Sequence, residues 1–548
     1  MTQKELTAEL IEQWGREPNA HQKLLFLNEM TQSFPSGTFP LIDIDHKKLF
    51  LSHLFDTWAL VSEQIRLQQL HFLRIILRDK NTVDLDCYIP ILTLLSRLAK
   101  LSADYFEECK SEPIEIVLES EKCLINLLFN SAKARNFFCT QKKPFDRLMS
   151  RICSVIAVFD GSNSLFVGFD YLSEWSFVQV EELLLYDLKI AFITTALVQQ
   201  LRNECVNDTD KTVVFLSVII CSLDKMSPPM ATKCVNEALN TLFNVYHDSK
   251  VFELETAKKC ADECARIVKS AHLDLGTKQN AVNLLSVLTS ALPSLCPKVD
   301  TKGAYEGFAA KDGYDISFLD SFLSVFEQQI DNYEKKQIIA EFLGTHLTVL
   351  CHLCSEHKTA RRFCREKVLP PLREDDVRRR PGEGDSFRNK MVRLMDGSSR
   401  CSEMAAEFLF VLCKRSVGRL MKYCGFGHSA GLLANYGFLG QAMVAQRRPS
   451  DSEDSETDEY KRVEEKVDPV TGFIPPPEQL EEWRRQIGSM SEEQKEYEMM
   501  KLVDCMDKMM EQGMIKPGVI GEDGKLRQAK HVAELIKDVK EGEESEED

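Results

Sequence analysis

An all-α architecture is predicted for this 548-residue chain. Three observations predict it. Apolar residues recur at helical spacing through most of the chain, runs of alternating strand residues are scarce, and the character changes at Arg448 and Pro449. Residues 450–459 hold only serine, threonine and acidic side chains. Nothing in such a run offsets the entropy of ordering it. The expected organisation is a helical-repeat body over 1–440, an acidic, disordered, phosphorylatable and Pro-containing linker over 441–488, and C-terminal helices with an acidic tail over 489–548.

The stripes justify the body. Around residues 405–417, apolar side chains fall at Ala406, Leu409, Phe410, Cys413 and Val417, one face of a helix. Similar stripes run through 67–77, 116–128, 181–197, 234–245 and 281–288. Ser227-Pro228-Pro229, Leu292-Pro293 and Pro370-Pro371 separate them. One motif appears three times: Asn126-Leu127-Leu128, Asn244-Val245-Tyr246 and Asn283-Leu284-Leu285. The last two are 39 residues apart, and armadillo and HEAT units run about 40–47 residues. Stripes and spacing together predict an armadillo/HEAT-like α-solenoid, which needs no single core at this length.

Composition limits the function classes. The formal charge of −17 argues against general affinity for nucleic-acid backbones. The 18 cysteines are scattered and mostly fall on apolar helical positions. The first residues lack the apolar segment of a signal peptide. Reduced thiols in the cytosol are therefore expected. The longest strongly apolar run, 213–221, is too short to cross a bilayer.

Beyond the acidic run, residues 468–472 and Pro475-Pro476-Pro477 read as an extended linker. Ser491-Glu492-Glu493-Gln494 is a capping box, and the helix it opens carries Tyr497, Met500, Val503, Met506, Met509 and Met510. A final helix is expected from about Leu526 to Val539.

Several residues are candidates for recognition. The motif asparagines Asn126, Asn244 and Asn283 can cap neighbouring helices, or form a ladder of amides for a partner's backbone. Arg74 and Arg78, spaced i and i+4, place two guanidinium forks on one helix face, which suits a terminal carboxylate or phosphate. A wet surface is the competing reading. Residues 356–393 hold twelve Lys or Arg against seven Asp or Glu, a local charge of +5. Arg361, Arg362, Arg365 and Lys367 lie there, ahead of Arg378-Arg379-Arg380. This region suits a partner's carboxylates or the phosphorylated tether; a solvated face or a nuclear-import signal is the competing reading. Ser450 and Ser455 carry acids at +3, the pattern of an acidophilic casein-type kinase. Met500 and Val503 belong to a helix that is either docked or a detachable clamp. Cys351, Cys354, His357 and Cys364 resemble a zinc set on paper, but the cysteines sit in an apolar stripe with no second CxxC, so core thiols are expected. Gly425-Phe426-Gly427 fits no nucleotide loop and reads as a turn between packed helices. No cofactor is implied.

The sequence also resembles the synembryn family, also called resistance to inhibitors of cholinesterase. The resemblance is carried by Val368-Leu369-Pro370-Pro371-Leu372-Arg373, by residues 388–395 (Arg-Asn-Lys-Met-Val-Arg-Leu-Met) and by residues 405–413. It continues through Tyr423, Gly425, Gly427, 430–434, Thr457-Asp458-Glu459-Tyr460, 492–496 and 500–503. Upstream it is looser, and the first seventy residues match poorly. It implies an armadillo/HEAT-like solenoid that is a chaperone and non-receptor guanine-nucleotide exchange factor for heterotrimeric G-protein α subunits. The client's C-terminal helix would lie in the groove, and a C-terminal helix of this chain would brace the GTPase domain. Positions matching family groove contacts are Arg74, Arg78, Asn126 and Phe243, with the basic segment near Arg361 and Lys367. Ser450 and Ser455 line up with regulatory phosphosites.

The mechanism then implied is linkage without covalent catalysis: a scaffold that prefers the nucleotide-free client lowers GDP affinity by the same factor. A monomer is expected, cytoplasmic and recruited to the cell cortex and plasma membrane through its partners, with no nucleic acid and no direct membrane insertion. The alternative is a phosphorylation-regulated armadillo-type adaptor or transport carrier without exchange activity. An importin-like carrier would need acidic, Trp-lined pockets for basic peptides; only 4 Trp occur, none with the Asn motif. A zinc hydrolase at Cys351–Cys364 is the remote enzyme reading.

Overall fold

The computed structural model describes residues 7–33, 44–78, 88–102, 112–140, 144–162, 168–249, 252–299, 310–397, 399–438, 456–511, 518–520, 526–528 and 531. These residues are helical almost throughout, as the stripes predict, and group into two compact units, Met1–Leu288 and Thr289–Asp548.

The first unit opens with α1 (Ala8–Arg16), α2 (Ala20–Ser33) and α3 (Ile44–Thr57), gathered on the buried Trp14 ring, which stacks on Phe26 and Phe50. Then follow α4 (Glu63–Ile76), α5 (Tyr88–Leu98), α6 (Ile114–Asn130), α7 (Ala132–Thr140) and α8 (Pro144–Phe159). The unit continues with α9 (Phe177–Leu197), α10 (Gln199–Asn207), α11 (Thr209–Lys225), α12 (Pro228–His247), α13 (Leu254–Lys269) and α14 (Leu275–Val287). Local chemistry starts these helices where the chain starts them. Ser176 and Gln179 form a capping box at α9, Asp274 accepts from the Thr277 N–H at 3.0 Å, and Pro228 occupies the first turn of α12.

Two layers result. Helices α4, α6, α9, α12 and α14 pack side by side as the first layer; α8, α11 and α13 run behind them. Helix α9 is apolar nearly all round because neighbours cover three of its sides.

One junction recurs. Helix α6 ends, Ser131 alone is extended (φ −113°, ψ 113°), and α7 begins at once. Val198 does the same between α9 and α10 (φ −122°, ψ 100°). In each case the extended residue's N–H bonds a carbonyl of the last turn, Leu127 or Thr194. The fourth residue on is an arginine that reaches back: Arg135 donates to the Leu128 and Phe129 carbonyls at 2.7 and 2.8 Å, and Arg202 to those of Thr195 and Ala196 at 3.0 and 2.9 Å. Carbonyls left open by the helix end are thus satisfied.

A charged cluster ties the layers together. Arg151 of α8 is fully buried and bonds Glu121 of α6, Asp187 of α9 and the Ala99 carbonyl, with its Nε 3.0 Å from Asp187. Burial pushes the Glu121 carboxyl well above its ordinary range and raises Asp187 as well.

The second unit opens with a 3-10 helix, Thr289–Leu295, followed by a hairpin, β1 (Ala310–Lys311) and β2 (Tyr314–Asp315). Asp312-Gly313 turns it with both residues at positive φ, 51° and 80°, as a two-residue hairpin requires. Helices α15 (Ser317–Glu334), α16 (Ala340–Glu356), α17 (Lys358–Val368), α18 (Phe387–Met395), α19 (Arg400–Leu412) and α20 (Val417–Asn435) follow. Helix α16 packs on α17 and α19. His357, extended at φ −112° and ψ 106°, repeats the one-residue junction between α16 and α17. His346 is buried between Phe322 and Phe326, and burial pulls its pKa to about 4, so it stays neutral.

Three expectations need correction here. The turn expected at residues 425–431 shrinks to one residue: two helical segments of α20 meet at a kink at Gly425 (φ 76°, ψ 159°), and 426–431 are helical. Residues 468–477 are not a free linker, and the expected linker over 441–488 does not hold as drawn. The chain from 456 to 474 is folded onto the second unit, with α21 (Asp458–Val463) and buried Tyr460, Val463 and Phe473. The reason is backbone complementarity: Phe426 and Gly427 N–H groups donate to the Pro469 and Val470 carbonyls at 2.9 Å, and Ile474 N–H to the Val377 carbonyl at 2.7 Å. Such close approach needs glycine on both sides. A Cβ on Gly425 would meet the Gly472 nitrogen at 3.0 Å. Thirdly, Leu526–Gln528 is not helical but a strand, β4, paired antiparallel with β3 (Gly518–Ile520). Residues 532–548 lie outside the described residues.

The remaining helices are α22 (Pro477–Ser489) and α23 (Glu492–Glu511). The Ser491–Gln494 capping box forms as expected, with bonds of 3.0 and 3.2 Å. Among the described residues no helix is long and apolar enough to cross a membrane.

This packing sets the expected response to substitution. Arg151→Met leaves two carboxyls buried without their cation and should destabilise the protein by about 3–5 kcal/mol; an unchanged urea midpoint would refute the cluster's role. Because Glu121 and Asp187 hold their protons more tightly folded than unfolded, the folded state carries the extra protons. Stability from this cluster is present in full below the ordinary carboxylate range and falls as pH rises above it. Glu121→Gln should flatten that slope in unfolding curves taken from about pH 5 to pH 8. Gly425→Ala should cost about 1–3 kcal/mol from its backbone conformation alone and expose residues 456–474 to protease, where the wild type resists.

Candidate functional site: a polar row on the first layer and a basic cavity

The solvent face of the first layer carries the upstream candidates. Arg74, near the end of α4, has its Nε 2.7 Å from Glu119 of α6. Glu119 is nearly buried and also draws in Lys122 at 3.5 Å and His71 at 3.7 Å. Burial lowers the His71 pKa against the pull of Glu119. The expected helical pair of Arg74 and Arg78 is corrected: α4 stops at Ile76, and Arg78 lies in the turn beyond it. The stop is enforced from α6, because Asn126 Nδ2 donates to the Arg74 carbonyl at 2.9 Å and Asn130 Nδ2 to that of Leu77 at 2.8 Å.

The asparagines therefore work first as ties between first-layer helices. Asn244 of α12 repeats the arrangement of Asn126, donating to the Phe192 carbonyl and Thr195 Oγ1 of α9, both at 3.3 Å. Asn283 differs: its Oδ1 accepts from Gln279 of its own helix at 2.9 Å. The cross-helix tie there is Asn280 to Asn236, at 2.9 Å. Phe243 is half-buried beside Asn244 and stacks on His247 with centroids 5.0 Å apart.

Between the Arg74 and Phe243 ends lies a group that sequence reasoning missed. Tyr186 of α9 is half-buried, with the Lys122 ammonium 5.1 Å and the Lys189 ammonium 5.7 Å from its ring centroid. Glu182 lies 3.7 Å from Lys122. Glu182, Tyr186 and Lys189 stand at i, i+4 and i+7 on a mostly apolar helix. That spacing was a readable signal of one polar stripe.

In the second unit, the basic helix α17 divides its cations. Arg362 pairs with Asp312 at 2.9 Å and Lys367 with Asp320 at 2.9 Å, while Arg365 donates to Tyr423 Oη at 3.3 Å. Arg361 stands four residues after His357, the position from which Arg135 and Arg202 reach back. Instead, Arg361 lines an open cavity of about 330 Å³ with Cys354, Ser355, Val411, Lys414 and Arg415. Lys414 and Arg415 have left-handed backbones (φ 56° and 55°), and Arg415 pairs with Glu407 at 3.0 Å.

The CxxC stretch is packed into the helices. Cys354 and Cys364 are buried, Cys351 is half-buried, and burial holds the Cys354 thiol well above its ordinary range. His357 caps α17, accepting from the Ala360 N–H at 3.2 Å. Among the described residues no group of three or more His, Cys, Asp or Glu is arranged to hold a metal.

Downstream, α23 presents Tyr497, Met499 and Met500 to solvent, with Met500 68% exposed and Val503 half-buried. Ser450 and Ser455 lie outside the described residues.

The profile of the family described as guanine nucleotide exchange factor synembryn matches residues 69–525. The chain is 34% identical to "Chaperone ric-8" of Caenorhabditis elegans over 502 residues, covering 86% of each protein. It is 32% identical to "Chaperone Ric-8A" of Gallus gallus over 488 residues and to that of Danio rerio over 498, covering 83% of each protein in both cases. With the matched span running from α4 of the first unit through the second unit and the exposed helix α23, the chain belongs to the synembryn family of guanine nucleotide exchange factors.

Proposed function

We infer that the protein is a non-receptor guanine-nucleotide exchange factor and folding chaperone for heterotrimeric G-protein α subunits. The observation that carries this is the family match running from residue 69 to 525, through both units. The polar row supports a helix-binding role. Arg74, Arg78, Asn126, Phe243, Asn244 and Asn283 all belong to or border first-layer helices, and the row offers cations over a buried carboxylate. The client's C-terminal helix lies across this row, its terminal carboxylate at Arg74 and Arg78. Met500 and Val503 of α23 brace the GTPase domain, using apolar side chains that solvent now covers.

Exchange then needs no covalent chemistry. A scaffold that holds the client's C-terminal helix away from its own domain prefers the nucleotide-free form. By linkage GDP binds that complex more weakly by the same factor. Each tenfold of coupling requires about 1.4 kcal/mol of differential binding. GTP reverses the balance and releases the scaffold. Shielding the same helix on a nascent α subunit is the chaperone activity.

Regulation comes from the acidic tether. An acidophilic casein-type kinase modifies Ser450 and Ser455, adding about −1.5 to −2 charge at each. The basic cavity at Arg361, Lys414 and Arg415 receives those phosphates, with Arg362 and Lys367 on the same basic helix. One described end of the tether is tied to Glu407, the partner of Arg415, and the other is held by Lys422. Tyr436 donates to Glu407 at 2.6 Å, and Glu456 accepts from Lys422 at 3.0 Å. The protein acts as a cytoplasmic monomer and reaches the cell cortex and plasma membrane through its partners.

GDP release from a purified α subunit tests the reading: the protein should accelerate it, and no acceleration would sink the exchange activity. Arg74→Glu with Arg78→Glu should abolish the effect, deletion of residues 489–548 should weaken it markedly, and Ser450→Ala with Ser455→Ala should weaken it moderately. If all three match the wild type, the site assignments fail even where exchange is seen. Calorimetry against GDP-loaded and nucleotide-free client should give tighter binding to the empty form.

A further inference from the structure

The cluster at Tyr186 has an arrangement that packing alone does not require. Lys122 and Lys189 come from different helices, α6 and α9, yet both ammonium groups converge on one ring. Two like charges brought together repel each other, and the ring face offsets only part of that. Lys122 has carboxylates at 3.5 and 3.7 Å. Lys189 has none within ion-pair distance among the described residues; Glu237 of α12 attracts it from further off, and that carboxyl is itself pushed up by burial. Glu119, the carboxylate shared by Arg74 and Lys122, lies nearly buried beneath them. The cations therefore stand forward, and the balancing charge lies partly behind.

We propose that Lys122, Tyr186 and Lys189 form a carboxylate-binding subsite that selects clients by an acidic side chain on the helix they dock. The inference rests on the helix-binding reading above and names a specificity determinant within it. Two ammonium groups over an aromatic floor fit a carboxylate, which completes the ion pairing that Lys189 lacks. A docked helix whose terminal carboxylate sits at Arg74 reaches this subsite upstream. Neighbouring packed helices lie about 8–10 Å apart, and a helix rises about 5.4 Å per turn. The selected acid therefore lies about one to three turns before the client's end. Tyr186 is a positioning residue: its ring meets both ammonium groups, and its hydroxyl also engages Lys122 and Glu182.

The test uses the full-length protein and fluorescein-labelled peptides that reproduce the C-terminal helix of a G-protein α chain. Each peptide carries one Glu, moved position by position through the last three turns, beside its Gln counterpart. At one or two positions Glu should bind about tenfold tighter than Gln at low salt, the effect of about 1.4 kcal/mol. Lys122→Gln with Lys189→Gln should remove that preference, as should Tyr186→Leu, whereas Tyr186→Phe should keep it. Thermal melts check folding, and Lys189→Glu supplies an independent variant, since Lys189 makes no ion pair whose loss would unfold the chain. That variant should prefer Lys to Glu at the same peptide position. No preference at any position, or a preference that survives the double variant, overturns the subsite. Binding of the intact α subunit, measured in parallel, separates the causes. If the α subunit binds while the peptides show no preference, the subsite alone is wrong. If the α subunit does not bind the wild type, the helix-binding reading is wrong and the subsite goes with it.

Discussion

A helix that ends inside a packed protein leaves carbonyl groups without partners, and each must be satisfied or exposed to water. This chain meets that constraint in two ways, and much of its structure follows from them. At Ser131, Val198 and His357 a single extended residue closes one helix and opens the next. At Asn126, Asn130 and Asn244 an amide from the neighbouring first-layer helix donates to the open carbonyls. Helix ends are therefore fixed against each other rather than frayed, and the side chains beside them are held in register.

The same ties organise the polar row proposed for recognition. Asn126 stops α4 at Ile76, and that stop sets where Arg74 points and turns Arg78 off the helix. Glu119 then draws Arg74, His71 and Lys122 to one carboxylate. The residues proposed for recognition are also structural, so a substitution there disturbs the packing unless it is conservative in shape. This also explains the exception at Arg361. Arg135 and Arg202 spend their guanidinium groups on helix ends, whereas Arg361 faces a cavity with Lys414 and Arg415. The same position closes a helix end in the first unit and lines a cavity in the second.

Buried polar groups give the scaffold its specificity of packing. Arg151 joins α8 to α6 and α9 through two carboxylates in a fully enclosed site. An apolar core tolerates sliding of one helix along another, because apolar contact is non-directional. A bonded guanidinium does not. The thiols play the opposite part: buried Cys123 donates a hydrogen bond to the Leu70 carbonyl at 3.3 Å and is held well above its ordinary pKa by burial, so it packs rather than reacts.

The sequence by itself determined the helical class, the placement of the stripes, the Ser491 capping box and, through its resemblance, the family. These depend on local periodicity and on residue types that act within a few positions of each other. Tertiary structure alone decided the rest. Gly425 and Gly472 are 47 positions apart, and nothing local announces that their backbones meet and hold residues 456–474 against the second unit. The Pro- and Gly-rich chemistry that suits a linker suits equally a segment that hydrogen-bonds edge-on to a kinked helix. Lys122 and Tyr186 likewise come together only because α6 and α9 pack in one register. Periodicity reveals which face of a helix is polar; only packing decides what that face meets.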